Sequence, residues 1–194
     1  MPIDAKTTLH RYLISAREAL EWKLEGLSEY DVRRPVVPTG TNLLGLVKHV
    51  AAVAAEYFGF VLGRPFSDPM LDKLDGAPDN ADMWAGADET RDQIIDLYHR
   101  VWAHADETIE ALELDTPGHV PWWGERGDTT LQVLLIHMVA ELNRHAGHAD
   151  IARELIDGAA GLRAENSNVP QHDTQWWESY RAELDRVSRQ FADG

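Results

Sequence analysis

The stretch LQVLLIHMVAELNRHAGHADIARELI, residues 131–156, carries the clearest structural signal in the sequence. Its apolar residues recur every three or four positions, which is the period of an α-helix with one buried face. On a helical wheel of about 100° per residue, His145 falls near the middle of this face and Glu141 lies about 40° away. We therefore predict a long helix that carries a carboxylate and an imidazole, one turn apart, toward the core.

These two side chains favour a metal site. A buried glutamate without a partner is strongly destabilising, and a cation is the most economical compensation. A Glu and a His one turn apart on a helix can share one metal ion. His49 lies in a second apolar segment, near Leu46 and Val53, and is the candidate third ligand. Two histidines and one glutamate leave tetrahedral zinc an open position, as catalytic sites do.

Other interpretations of the same residues stay open at this point. Taken alone, His49 is typical of a core histidine with local hydrogen-bond partners, and Glu141 could instead pair with Arg144. His148 could replace Glu141 as a ligand or support the site from outside it. His137 could pair with Glu141 one turn away. The combination of His49, Glu141 and His145 is what favours the metal.

The remaining sequence is helical in pattern. Apolar periodicity predicts an all-α protein, most simply a four-helix bundle with a fifth helix packed across it, in one domain over residues 1–194. Thr129 and Gln132 fit a capping box at the start of the helix that contains Glu141. The acidic residues between 68 and 92 are interpreted as solvated surface. The helical segments, the long loop and the polar connector are predicted at 4–25, 42–62, 64–82 (loop), 88–114, 130–156, 159–172 (connector) and 174–191.

Composition excludes several function classes. The net charge is -15, from 18 Lys and Arg against 33 Asp and Glu, which argues against binding nucleic acid or anionic membranes. There is no cysteine, so a Cys nucleophile and zinc–thiolate sites are excluded and any thiol must come from outside. The start of the chain lacks a signal-peptide pattern, and no apolar stretch approaches the roughly 20 residues of a membrane span. We expect a cytoplasmic protein.

Two adjacent tryptophans, Trp122 and Trp123, stand outside any predicted helix. They are candidates for lining the mouth of a pocket. The alternative is that they close one end of the bundle.

Residues Glu141–Gly158, together with LVKHVAAV at 46–53, resemble the DinB-like superfamily, in particular its mini-circle protein branch. The resemblance implies a four-helix bundle with a crossover connection, often a homodimer, with a divalent metal at one end. Many members use three histidines, whereas His49, Glu141 and His145 resemble the ligands of the mycothiol-dependent maleylpyruvate isomerases. We expect no counterpart of the C-terminal domain that those isomerases carry.

The leading hypothesis is therefore a metal-dependent S-transferase or isomerase, with Zn²⁺ or Ni²⁺, that uses an exogenous thiol such as mycothiol or bacillithiol on a small electrophile. One alternative is a metal-dependent hydrolase, in which the open position activates water. Another is a non-catalytic, metal-binding protein related to stress.

Overall fold

The computed structural model describes residues 4–192, so residues 1–3, at the start considered for a signal peptide, lie outside it. The described chain is mostly helical, which confirms the all-α class. The helices are α1 (Ala5–Glu21), α2 (Glu29–Arg33), α3 (Leu43–Ala54), α4 (Pro69–Asp72), α5 (Arg91–Ala111), α6 (Leu131–Asp157) and α7 (Thr174–Arg189), with a π-helix at Ala55–Phe60 and 3₁₀ turns at Trp22–Leu24, Ala81–Met83 and Pro121–Arg126.

The core lies between α1, α3, α5 and α6. Helix α1 packs on α6, and α3 packs on both α5 and α6. The segment Leu43–Phe60 is apolar and long enough to cross a membrane, which the sequence had not suggested, but 72% of it is buried inside the protein. Its hydrophobicity therefore serves the core, since α3 contacts neighbours on most sides.

Helix α3 continues into a π-helix over Ala55–Phe60. A π-turn contains one more residue than an α-turn and often occurs at functional sites. Tyr57 lies in this turn and is 6% exposed. The wider turn therefore determines where the Tyr57 hydroxyl points relative to the α-helical part of α3.

A small hairpin precedes α6, although the sequence showed no strand-like alternation. Strands β1 (Pro117–His119) and β2 (Asp128–Thr130) pair antiparallel, with Gly118 opposite Thr129. The predicted capping box of Thr129 and Gln132 is wrong, because Thr129 belongs to β2 and its hydroxyl has no partner among the described residues. The first amides of α6 donate instead to backbone carbonyls, Leu131 to Thr116 and Gln132 to Leu114. The helix ends at Gly158, whose φ of 80° suits glycine.

The segment between residues 61 and 90 is irregular, with only α4 and one 3₁₀ turn. Its acidic residues are not all solvated, contrary to the prediction. Asp68 is 5% exposed and caps α4, and Glu89 is 7% exposed and pairs with Lys48 at 2.8 Å. Asp68 is buried because it caps the start of α4, and Glu89 is buried because it pairs with the buried Lys48. The pattern of charges in the sequence shows neither contact.

Helix α7 forms where the sequence predicted a fifth helix, but it does not pack across the others. Every residue from 171 to 192 is exposed. The aromatic residues of α7 stack on each other, Trp176 on Tyr180 with 5.1 Å between ring centroids. The helical period predicted a helix with one apolar face, but not which surface that face contacts.

Candidate metal centre

Three side chains from two helices converge beside the core. His49 comes from α3, and Glu141 and His145 come from α6. Glu141 Oε1 lies 2.9 Å from His145 Nε2 and 3.8 Å from His49 Nε2. The two imidazole rings meet edge to face with centroids 4.7 Å apart. The helical wheel placed Glu141 and His145 on one face, and the packing of α3 against α6 brings His49 to them.

Burial differs among the three residues. His145 is 7% exposed, whereas the side chains of His49 and Glu141 are 18% and 29% exposed. Glu141 therefore lies at the edge of the core, whereas the sequence had predicted that it lies inside the core. The cluster can be reached from solvent on one side, which a site that exchanges ligands requires.

Electrostatics favour the charge states that metal ligands need. Burial lowers the pKa of His145, which keeps its imidazole neutral near pH 7. Burial alone would raise the pKa of Glu141, but hydrogen bonding to His145 and the nearby imidazoles outweigh it and lower the pKa overall. Glu141 is therefore ionised and His145 neutral, which is the combination that binds a divalent cation.

Asp82 is a site residue that the sequence interpretation missed. Its Oδ2 accepts a hydrogen bond from His49 Nδ1 at 2.6 Å, and this bond is the main reason that the pKa of Asp82 is lowered. Because an ionised carboxylate only accepts, Nδ1 is the donor in this bond, and Nε2 is the nitrogen that faces Glu141. Metal-binding histidines are commonly oriented by such a carboxylate. Asp82 was assigned to solvated surface because it lies in an irregular segment, where helical periodicity gives no information.

The other candidate residues occupy different places. His148 is exposed on α6, with its ring centroid 5.6 Å from that of His145. His137 packs edge to face on Tyr57 and Trp123, each at 4.9 Å, and also helps to lower the pKa of Glu141. The alternative ion pair of Glu141 with Arg144 is not among the contacts of the described residues, where the partners of Glu141 are the two histidines.

Trp122 and Trp123 line a hollow of about 600 Å³ next to the cluster. Both indole Nε1–H groups donate to the hydroxyl of Tyr57 at 3.2 Å. Trp122 is 49% exposed, so these residues do not simply close the end of the helices. The hollow is formed by the 3₁₀ turn, strand β2 and α6, with the lining residues Trp122, Trp123, Arg126, Asp128, Thr129, Val133 and His137.

The donor set suits a divalent transition metal. Tetrahedral zinc with bonds of about 2.1 Å has ligand atoms about 3.4 Å apart. The separations of 2.9 and 3.8 Å from Glu141 bracket that value, and all three ligand atoms lie within 4.8 Å of one another. Nitrogen and carboxylate ligands fit zinc and nickel better than they fit magnesium, which prefers sites made only of oxygen atoms.

The match of the chain to a family model places it in the class that its sequence resembles, the DinB-like proteins. The family model of the mycothiol-S-transferases, described as "MST: Mycothiol-S-transferase", matches residues 8–158. The chain belongs to this family, and the match extends from α1 to the end of α6, which includes the histidine–glutamate cluster and the tryptophan pair. No curated protein matches the chain.

Proposed function

We propose that the protein is a divalent-metal-dependent S-transferase that joins mycothiol to a small electrophile. The observation that carries this proposal is the convergence of His49, Glu141 and His145 at the partly open edge of the core. The family description is the reason to propose mycothiol as the thiol and S-transfer as the reaction. The two histidines and the glutamate are the reason to expect a metal. Zinc is the first expectation and nickel the second.

Each residue has a distinct task. His49 and His145 would hold the ion through neutral nitrogens, and Glu141 would balance part of its charge. Asp82 holds the His49 ring in the tautomer that presents Nε2. A divalent ion held by these residues would lower the pKa of a thiol bound to it, so that more of the thiol would be thiolate at neutral pH.

The transfer balances without a protein nucleophile. The chain contains no cysteine, so the attacking sulfur belongs to mycothiol. A carbon–sulfur bond forms at the electrophilic carbon, and the thiol proton leaves to solvent. In a substitution, the leaving group departs with the electron pair of its own bond.

The direct test is metal-dependent consumption of mycothiol. Metal-free protein and protein reloaded with Zn²⁺ or Ni²⁺ are incubated with mycothiol and 1-chloro-2,4-dinitrobenzene, and the thioether is followed by absorbance. We expect product formation above the uncatalysed rate only with loaded protein. A rate that is the same with and without metal would overturn the proposal.

Cobalt substitution tests whether the thiol reaches the metal. We expect a thiolate-to-cobalt charge-transfer band when mycothiol is added to the Co²⁺ form. A spectrum that mycothiol leaves unchanged would contradict the proposed contact between thiol and metal. Thiol-independent hydrolysis would not produce this band.

We also propose that the helices form the four-helix bundle with a crossover connection that the resemblance implies. Besides the packing of α1 on α6 and of α3 on α5 and α6, Arg17 of α1 pairs with Asp106 of α5 at 2.7 Å. These contacts support a bundle in which helices adjacent in sequence are not always adjacent in space, as the crossover connection requires. The single domain over residues 1–194, the homodimer and the cytoplasmic location stay predictions.

A further inference from the structure

We infer that the hollow lined by Trp122 and Trp123 binds the sugar part of the thiol, a neutral polyhydroxylated group. This inference rests on the proposed function, because it names the part of mycothiol that the hollow recognises. We call this hollow the tryptophan pocket.

The tryptophan pocket lies beside the cluster. His137 lines it and is one helical turn before Glu141 on α6. Tyr57 contacts His137 and lies two turns beyond His49, on the segment formed by α3 and the π-helix. The pocket therefore adjoins both of the helices that carry the cluster. A molecule that fills the pocket can therefore extend a reactive end toward His49, Glu141 and His145.

The pocket is built from ordered elements. The turn that carries both tryptophans is closed at its base by β1 and β2, and Val120, at 0% exposure, anchors it in the core. Val120 N–H donates to the carbonyl of Gly127 at 2.8 Å. Within the turn, Gly124 has φ 57° and ψ -130°, a conformation that other residues rarely adopt. The tryptophan positions are thus prepared before any ligand arrives, which lowers the cost of binding.

The lining chemistry matches a sugar. Aromatic rings pack well against the C–H faces of pyranose and cyclitol rings, and Trp122 leaves half of its surface free for such a contact. Arg126 supplies donors and Asp128 supplies acceptors at the same rim, so hydroxyl groups can both give and accept hydrogen bonds. The two charges cancel, and the acidic chain as a whole disfavours an anionic ligand.

The thiol has the shape that this arrangement requires. Mycothiol carries its sulfur on an N-acetylcysteine, joined through an amide to a glucosaminyl-inositol. One end is therefore reactive and the other is a neutral pair of hydroxylated rings. A pocket of about 600 Å³ lies in the range that holds ligands of this size.

Ligand-observed NMR with N-acetylglucosaminyl-inositol, which lacks the cysteine but keeps the neutral amide, tests the inference without catalysis. We expect the ring protons of this fragment to receive saturation from the wild-type protein. Trp122→Ala should weaken binding by about tenfold, which is the effect of removing one aromatic contact. Trp177→Ala, on the separate helix α7, is the matched control and should bind as the wild type does. Trp122→Phe keeps an aromatic ring and should retain most of the affinity.

The outcomes separate the two proposals. Absence of fragment binding, or equal binding by wild type and a folded Trp122→Ala variant, would overturn the inference, as would an equal loss in Trp122→Phe and Trp122→Ala. Circular dichroism establishes that each variant is folded. Fragment binding without metal-dependent transfer would instead overturn the proposed function and leave the sugar site in place.

Discussion

Two neighbouring residues of α3, Lys48 and His49, are both held by the segment around residues 81–89, but they build different kinds of polar cluster. The ammonium of Lys48 donates to the carbonyls of Ala81 and Trp84 and to Glu89 Oε2, at 2.8–3.2 Å. Three donors thus meet three acceptors, and the cluster is complete.

The cluster around His49 is incomplete by the same measure. Asp82 satisfies one nitrogen of His49, but Glu141 lies between two imidazoles, and His145 Nδ1 is buried without a partner among the described residues. Buried polar groups without partners are destabilising and uncommon in native proteins, so this nitrogen needs an explanation, and a bound ligand is the one that we propose. The closed cluster fixes the loop, and the open cluster beside it is the one for which we propose a metal ligand.

Breaking the closed cluster should have the largest effect. Lys48→Met leaves Glu89 buried without its cation, so we expect the free energy of unfolding of the metal-free protein to fall by about 3 kcal/mol. Urea denaturation measures this change. Lys73→Met, at a side chain 62% exposed, is the control and should change stability by less than about 0.5 kcal/mol. A similarly small loss for Lys48→Met would show that this ion pair does not secure the loop.

Removing the charge from the open cluster should act on the metal and spare the fold. Glu141→Gln replaces an anionic oxygen with a neutral one, and we expect Zn²⁺ affinity to fall by more than about 100-fold with helix content unchanged. Competition with a chelating dye measures the affinity, and Glu154→Gln, exposed on the same helix, is the control. Unchanged metal content in Glu141→Gln would favour His148 as the ligand.

The smallest effect should come from the link between the two clusters. Asp82→Asn replaces an acceptor with a group that can also donate, so His49 loses its fixed tautomer and Zn²⁺ affinity should fall by about 10- to 100-fold. Asp79→Asn, in the same loop and exposed, is the control for the change in net charge. Equal affinities of the Asp82 and Asp79 variants for Zn²⁺ would mean that the hydrogen bond does not orient a ligand.

The regular parts of the molecule could be predicted from the sequence because helical periodicity reports them directly. Residues 131–156 predicted the relation of Glu141 to His145, the apolar segment around Leu46 and Val53 suggested His49 as the third ligand, and the resemblance implied the same three residues. The family match over residues 8–158 confirms that resemblance. The ligand role of the three residues stays a prediction.

The missed features all depend on contacts between segments with no period. Asp82 reaches His49 because Lys48 holds the carbonyls of Ala81 and Trp84, a tertiary effect that composition cannot express. The strands beside the tryptophan turn have three residues each, too few to alternate recognisably. Helix α7 shows the converse, because its amphipathic pattern is clear but its apolar face has no surface to contact within the described residues.

The π-helix at Ala55–Phe60 has a consequence for how this protein tolerates insertions and deletions. The additional residue advances the rest of the segment by roughly 100° compared with an uninterrupted α-helix. Deleting one residue there would restore a regular helix and rotate the Tyr57 hydroxyl away from the two indole N–H groups that now share it. A change in length at this turn would thus release both tryptophans at once, whereas most substitutions at the same positions would leave their common anchor in place.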